Sequence, residues 1–571
     1  MTAPRPRVGG RDAGPLAVVV VLGGPLLAVM MTRTPWWAVL VTASVLLATV
    51  TVPLRGRTSV RWLLAWGEYR LGRTARARKL LSHSVIRDIE VVAGVCGVQI
   101  GDAVLVAMIQ LAPDLDLPTV IAEDTVYTED TVPVEALLPL LEQYGITVDI
   151  DIVTTGQRVR SAGEYSMLYD QLIGSQPVVG DRLTWLVIRL DQQRNLVALS
   201  RRGPAAVSAP RALATAAHRI AGRLREQGIA AHALPAAAVR EAMDLLQTGI
   251  DTSELQESWR HLESAVPGRY VTSFLIDWTK VGTAGLDDCW SWNRGRTTVV
   301  VSLTADASGP RGVVRFVGPA VTDAPPDYLR PLPGRQSTAL LATLPGPTSS
   351  RTLSQDDPER HIGPAGILAE LVVPIGPNGQ ILGAISGKPQ HTLALPLFDP
   401  AHFHPRQRSI DVRALLPVAQ QIILRAMVVG AAVEVHSARP DRWRQLVAAV
   451  GDPASLRLAP GPGAAATSGG GLATIAVFDQ LPPQASGAQT TVTIGDPGNP
   501  RRRTADLAIH QVDSTTVDVS IPMRTVRVEL IEPRGETRYF DSPAPDSAPV
   551  AEPVPPVSAS QPMVGAGKEG M

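Results

Sequence analysis

Two long uncharged runs open the chain, and short strand and helix patterns alternate through the rest. Residues 13–32 (AGPLAVVVVLGGPLLAVMMT) and 34–54 (TPWWAVLVTASVLLATVTVPL) carry no charged side chain. As helices, runs of 20 and 21 residues reach about 30 Å, the hydrocarbon thickness of a bilayer. Pro15 and Pro35 fall where a first helical turn would begin. Pro25 and the Gly23-Gly24 pair lie inside the first run, where helix packing in a membrane tolerates them and small residues permit close approach. Trp36 and Trp37 stand at one end of the second, as interfacial anchors do. The pattern predicts a two-helix transmembrane hairpin over 13–54. A cleaved signal peptide would have a shorter apolar core and no second span so close behind it; a buried helical hairpin in a soluble core is the plainer alternative.

From residue 84 the periodicity changes. VVAGVCGVQIGDAVLVAMIQLAP reads as a hairpin turning at Gly101-Asp102. VPVEALLPLLEQYG (132–145) reads as an amphipathic helix stopped by glycine, and ITVDIDIVTT as an alternating strand. LTWLVIRLDQQRNLVALS reads as two strands about Asp191-Gln192-Gln193, and RALATAAHRIAGRLREQG as a helix closed by Gly228. Strands are predicted at Tyr270–Ile276, Thr297–Thr304 and Val313–Val317, with a helix in GRQSTALLATL. This gives one α/β unit over 84–350. A second is predicted over 360–540: a strand–turn–strand at AGILAELVVPIGPNGQILGAI, helices in DVRALLPVAQQIILRAMVVG and PDRWRQLVAAVG, and five short strands from LATIAVFD to RTVRVELIE. A Gly/Ala/Pro/Ser stretch (459–471) reads as a flexible loop, and the proline-rich 541–571 as a disordered tail.

Charge adds topology to this picture. The chain has 571 residues, with 53 basic and 53 acidic side chains. Residues 1–80 hold twelve basic side chains and only Asp12 and Glu68 as acids, so they carry +10 and the remainder −10. The zero sum argues against a polycationic nucleic-acid binder. Arg5, Arg7 and Arg11 precede the first run; Arg55, Arg57, Arg61 and further basic residues follow the second, with only Arg33 between the runs. The positive-inside rule then places residues 1–12 and the whole body in the cytoplasm. Almost nothing is left outside, which argues against a receptor, periplasmic enzyme or adhesin. Residues 55–83 read as a basic juxtamembrane helix whose Trp62, Leu63, Trp66 and Tyr69 recur at three- and four-residue spacing. Anionic headgroups would attract it; a solvated linker helix is the other reading. Two cysteines, Cys96 and Cys289, exclude a disulfide scaffold.

The candidate chemistry is weak throughout. Gly383-Ala-Ile-Ser-Gly387-Lys388 is one residue short of a phosphate-binding loop, and Pro389 takes the hydroxyl position. Ile475–Asp479 (IAVFD) resembles a Walker B strand without its loop. Asp149-Ile-Asp151 and Asp114-Leu-Asp116 are DxD pairs of the kind that hold a metal against a sugar nucleotide. His402 and His404 could offer two imidazoles, and the cluster Asp287-Asp288-Cys289-Trp290 one thiol. There is no GxSxG elbow or CxxC. No catalytic, cofactor-binding or metal residue is assigned, and no cofactor is implied. The alternative kept open is a membrane-anchored glycosyltransferase using Asp149 and Asp151.

TWLVIRLDQQRNLVALSRRG (184–203), WRHL (259–262), YVTSFLI (270–276), TTVVVSLT (297–304) and GRQSTALLATLPGPT (334–348), behind a helical hairpin and a basic, tryptophan-containing exit, carry a resemblance. In order and spacing they are similar to the EccE family, membrane components of the type VII (ESX) secretion system of mycobacteria and related actinobacteria. The resemblance covers roughly residues 10–390. It implies a non-enzymatic scaffold in the inner membrane with EccB-, EccC- and EccD-like partners, beside the mycosin protease of the same system. It also implies a cytoplasmic α/β body, with a degenerate glycosyltransferase-like shape as one form of it. It supplies no catalytic residue.

Overall fold

The computed structural model describes residues 27–30, 32, 34–51, 53–54, 57–72 and 85–540, apart from 124, 161–162, 283–284, 307–308, 354–361, 460–472, 501 and 503. Residues 1–12, residues 13–26 of the predicted first span with Gly23 and Gly24, Arg55, the loop from 460 and the tail 541–571 lie outside these. Within the second predicted span a helix runs Trp36–Thr51, 16 residues or about 24 Å. It gives way before Pro53, a residue that disfavours helical backbone just ahead of it, and Pro53–Leu54 pairs antiparallel with Arg57–Thr58. Among the described residues no helix is long and apolar enough to cross a membrane. Of the basic helix predicted over 55–83, Ser59–Leu71 is helical and Arg57–Thr58 is a strand, while 55–56 and 73–83 lie outside the described residues.

The body is a large α/β structure built on two sheets of 12 strands each. In the first, the order runs Gln256–Glu257, Leu262–Glu263, Tyr270–Ile276, Arg311–Gly318, Arg296–Leu303, Asp149–Gln157, Asp181–Asp191, Val104–Leu111, Gly94–Ile100, Val85–Val91. Its strands pair antiparallel throughout, including the two short strands off this path. Helix Ala205–Glu226 covers one face with Leu213, Ile220 and Leu224. Helices Ala236–Gln247 and Gln336–Ala342 cover the other. With both faces covered, Asp149–Gln157 and Asp181–Asp191 are buried between their ends, and their sequences lose the clean in–out alternation of a one-sided sheet.

The second sheet changes character halfway across. Leu456–Leu458, Val433–Ser437, Ile475–Asp479, Thr490–Gly495, Arg408–Arg413 and Leu507–Gln511 are parallel neighbours. Helices Leu416–Val428 and Asp441–Val450 pack on them through Leu424, Met427 and Trp443. Thr516–Ile521, Arg524–Leu530, Gln380–Ile385 and Lys388–Leu395 continue it antiparallel. Its last two strands, Thr119–Ala122 and Thr125–Tyr127, come from far upstream. Helix Gly163–Ile173 also packs into this second core through Tyr165, Tyr169 and Ile173.

Three segments differ from the sequence reading. AGILAELVVPIGPNGQILGAI (365–385) is not one strand–turn–strand: it opens as the short helix Ile367–Glu370, Val372–Pro374 pairs with Thr131–Pro133, and Gln380–Ile385 lies in the second sheet. Residues 132–145 are not one amphipathic helix: Thr131–Pro133 is a strand and Val134–Leu140 a 3-10 helix with Pro139 inside it, because proline cannot donate to the turn before it. LTWLVIRLDQQRNLVALS is one strand, Asp181–Asp191, followed by the short helix Leu196–Ser200. Asp191 Oδ1 accepts from the backbone N–H groups of Gln193 and Arg194 at 2.8 and 3.1 Å, and the chain turns there rather than returning as a strand.

Candidate functional site: the seat of the basic helix

The side chains that sequence alone offers for chemistry are consumed by the fold. Asp151 is 1% exposed and lies diagonal to Arg189 on one face of the first sheet. Arg189 donates to its Oδ2, and also to the carbonyls of Gly346 at 2.8 Å and Leu344 at 3.3 Å. Asp149 is held by Arg194 at 3.1 Å and Arg351 at 3.8 Å, while burial pushes its carboxyl above the usual range. The acids therefore end neither at an open cleft nor on a solvated face, and the parallel strands outside whose carboxyl ends nucleotides sit belong to the other sheet. The glycosyltransferase reading of Asp149 and Asp151 fails on this arrangement. Asp114 and Asp116 bind Arg406 and Arg408.

The remaining candidates behave alike. Asp479 is fully buried; it accepts from Ser437 Oγ at 2.7 Å, Arg439 Nη2 at 2.9 Å and Trp443 Nε1 at 2.9 Å. Gly383–Lys388 forms a β-hairpin between Gln380–Ile385 and Lys388–Leu395, turning at Gly387 (φ +78°). His402 Nδ1 lies 2.8 Å from Glu241, whereas the His404 ring leans on Phe403 and lies 6.2 Å from His232, so the two imidazoles diverge. Cys289 is buried against Asp287 and Asp288, and burial first, then those charges, drives its thiol far up. Among the described residues no group of three His, Cys, Asp or Glu side chains is placed to hold a metal.

What the structure does build is a seat for the basic helix. Trp62 packs on Trp259 at 6.0 Å between ring centroids, and Tyr69, two turns on, meets the same indole edge-on at 5.2 Å. The Tyr69 hydroxyl donates to the Glu257 carbonyl at 2.9 Å. Residues seven apart share a helix face, so this spacing, read as interfacial, also docks the helix onto the end strand of the first sheet. The seat is braced from below. Glu257 Oε1 accepts from the Ser337 N–H at 3.0 Å, and Gly334 N–H donates to the Trp259 carbonyl at 2.7 Å. A Cβ on Gly334 would stand 2.6 Å from the Trp259 ring, and its φ of +73° disfavours any other residue. Trp66 remains 51% exposed under the Arg70 guanidinium, 5.3 Å from its ring, and Leu71 is 87% exposed. Trp36 and Trp37 are exposed as well. WRHL gave the sequence signal for Trp259; nothing in the spacing of Glu257 or Gly334 marked them.

A second feature lies where the two sheets meet. A cleft of about 760 Å³ is lined by Asp114, Asp130, His232, Asp399, His404 and Arg406, among others. Burial pushes the Asp130 carboxyl up to about 6, against hydrogen bonds from the Asp114 and Gly376 backbones that pull it down.

Comparison with known proteins gives these features a context. Residues 178–276 match the family described as "EccE: Putative type VII ESX secretion system translocon, EccE". The stretch includes Arg189, the helix Ala205–Glu226 and Trp259. The ESX-2 secretion system protein EccE2 of Mycobacterium tuberculosis is 27% identical over 471 residues, covering 78% of this chain and 82% of that protein. The ESX-1 secretion system protein EccE1 of the same species is 26% identical over 315 residues, 52% of this chain and 64% of that protein. The ESX-5 secretion system protein EccE5 of Mycobacterium marinum is 29% identical over 236 residues, 39% of this chain and 57% of that protein.

Proposed function

We infer that this chain, which carries an EccE domain over residues 178–276, is a non-enzymatic structural subunit of a type VII (ESX) secretion membrane complex. The observation that carries the reading is the likeness to EccE2 over 78% of the chain, which reaches well beyond the matched domain into the second sheet. The spent acids of the body support it, since each candidate carboxylate answers an internal arginine or backbone group. In this reading residues 13–54 form the membrane hairpin, packed on neighbouring spans through Gly23 and Gly24, with both termini in the cytoplasm. Trp36 and Trp37 anchor one interface. Arg55, Arg57, Arg61 and Trp66 meet anionic headgroups at the other, while Trp62 ties the helix to the body. Residues 84–350 form the EccE-like cytoplasmic domain, apart from Thr119–Tyr127 and Gly163–Ile173, which join 360–540 in a second unit ahead of the tail. EccB-, EccC- and EccD-like proteins are its assembly partners, with the mycosin protease in the same system. The test is purification of the tagged full chain from its own membranes in mild detergent. EccB-, EccC- and EccD-like proteins should co-purify; recovery of a monomer without any of them would overturn the reading.

A further inference from the structure

We propose that the cleft between the Tyr144 hairpin and the helix Ala205–Glu226 binds an oligophosphate anion. It measures about 420 Å³ and runs along one helix face, past Ser208, Arg211, Thr215 and Arg219, with Arg202 at its end. That volume suits a small ligand rather than a protein segment. Its lining holds three guanidiniums and no carboxylate. Arg211 has no ion-pair partner among the described residues. Arginine is the side chain whose planar fork matches phosphate oxygens two at a time.

The hairpin tip serves this wall as well as the turn. Glu142–Gln143 pairs with Ile146–Thr147 across Tyr144 and Gly145, both at positive φ, +52° and +75°. Such two-residue turns favour Asn-Gly, and a tyrosine in the left-handed region is a strained choice that recurs at functional sites. Here the tyrosine, 79% exposed, lies under the Arg219 guanidinium at 4.2 Å from its ring. Its carbonyl accepts from Arg202 Nη2 at 2.7 Å. Tyr144 thus aims two guanidiniums while leaving most of their N–H groups unused. Ser208 adds a buried hydroxyl held only by bonds of 3.4 and 3.5 Å, near the start of a helix with no acid in its first turn. That hydroxyl donates to the Leu199 and Gly203 carbonyls only through these long bonds, close to the helix start where the dipole favours an anion.

Phosphate oxygens could arrive on a soluble molecule or on a lipid headgroup, and the fold favours the first. The helix packs on Val85–Val91, Gly94–Ile100 and Val104–Leu111. The basic helix sits at the opposite end of the same sheet, seven strand spacings from Val104–Leu111, or roughly 33 Å.

The experiment is calorimetric titration of inorganic tripolyphosphate into the detergent-solubilised full chain at constant ionic strength. Saturable one-to-one binding is expected, and Arg211→Gln with Arg219→Gln should weaken it by at least about tenfold. Arg223→Gln, whose partner is Glu226 on the exposed face, should leave it unchanged. Absence of saturable binding, or equal weakening by Arg223→Gln, overturns the proposal. In a second arm, nanodiscs of neutral and of anionic phospholipid are offered as competitors. Displacement by anionic discs alone, lost in the double variant, would overturn the soluble-anion assignment in favour of a headgroup; no displacement supports it. Unchanged melting of the variants shows that the loss is not unfolding.

Discussion

Two of the long-range ties in this chain are made of opposite materials. In the second unit the fully buried Glu536 carboxylate accepts from Arg425 Nη2 at 2.9 Å, from Gln421 Nε2 at 2.7 Å and from the Tyr165 hydroxyl, 371 residues upstream. Arg425 also donates to the Ile381 carbonyl at 3.1 Å. Burial drives the Tyr165 phenol far up and pushes Tyr169 up to about 12, so both stay neutral beside the ion pair. At the end of the first sheet, the basic helix is held instead by half-buried rings and one hydroxyl–carbonyl bond. A buried charge stripped of its partner has nowhere to go. Rings at an edge part at little cost, since solvent replaces what they lose. The body is therefore locked while the basic helix is merely seated: the first tie fixes surfaces, and the second leaves an adjustable stem.

The sharpest way to break this contrast is Glu536→Ala. It strands Arg425 in the core and should cost about 3–5 kcal/mol, read as a fall in the urea midpoint of the full chain in detergent. A cost below about 1 kcal/mol would mean that the tie is ornamental. Replacing Arg425 with Met in the same background should recover much of the loss, since it removes the orphaned charge. Asp151→Ala tests the corresponding pair in the first sheet. There the abandoned Arg189 keeps the carbonyls of Gly346 and Leu344, so a smaller cost is expected, roughly 1.5–3 kcal/mol. An equal or larger cost would show that neutral acceptors do not soften the loss. Trp62→Ala should forfeit about 0.5–1.5 kcal/mol of ring contact. Its signature is faster hydrogen exchange across residues 59–72 with the melting of the body unchanged. If the body melts with the helix, the seat is part of the core and the contrast collapses.

Sequence made one of these ties far more visible than the other. Strands such as Ile475–Asp479, Thr490–Gly495 and Thr516–Ile521 stood out because short apolar runs between turn residues are local signals. The long helix Ala205–Glu226 did so because its apolar stripe repeats through six turns. The burial of Asp151 was not legible. VDIDIV alternates like a half-solvated strand, and only the helices on both faces, with Arg189 38 residues downstream, turn that pattern inward. Trp62 and Tyr69 were legible as an aromatic face but not as one that meets Trp259, since a spacing defines a face and not what covers it. Glu536, in a stretch with no periodicity, gave no sign of being a fully buried carboxylate of the second unit. Contacts across hundreds of residues leave no local imprint in a single chain.

The last test belongs to the junction between the two sheets, where the Arg406 pairs with Asp114 and Asp116 share the cleft with a carboxyl held by backbone N–H groups. Asp130 lines the cleft there, and its Oδ2 accepts the Gly376 N–H at 3.0 Å. Burial is the main reason its carboxyl is pushed up from 3.8 to about 6; Asp114 adds to the rise and Arg182 opposes it. The folded state thus keeps a proton that the unfolded chain releases more readily. Below about pH 4 both forms are protonated and the residue is neutral to stability; between about pH 4 and 6 stability drains away as pH rises; above about 6 the loss is complete and constant. Asp130→Asn keeps an oxygen for the Gly376 N–H and removes the ionisation. Its stability relative to the native chain should therefore be flat below pH 4, climb through the window and level off above it. Urea denaturation of both proteins at pH 3.5, 5 and 7 reads this directly. A difference that is the same at all three values would mean that the junction is wet enough to ionise freely. The two sheets would then meet across solvent rather than across a closed contact.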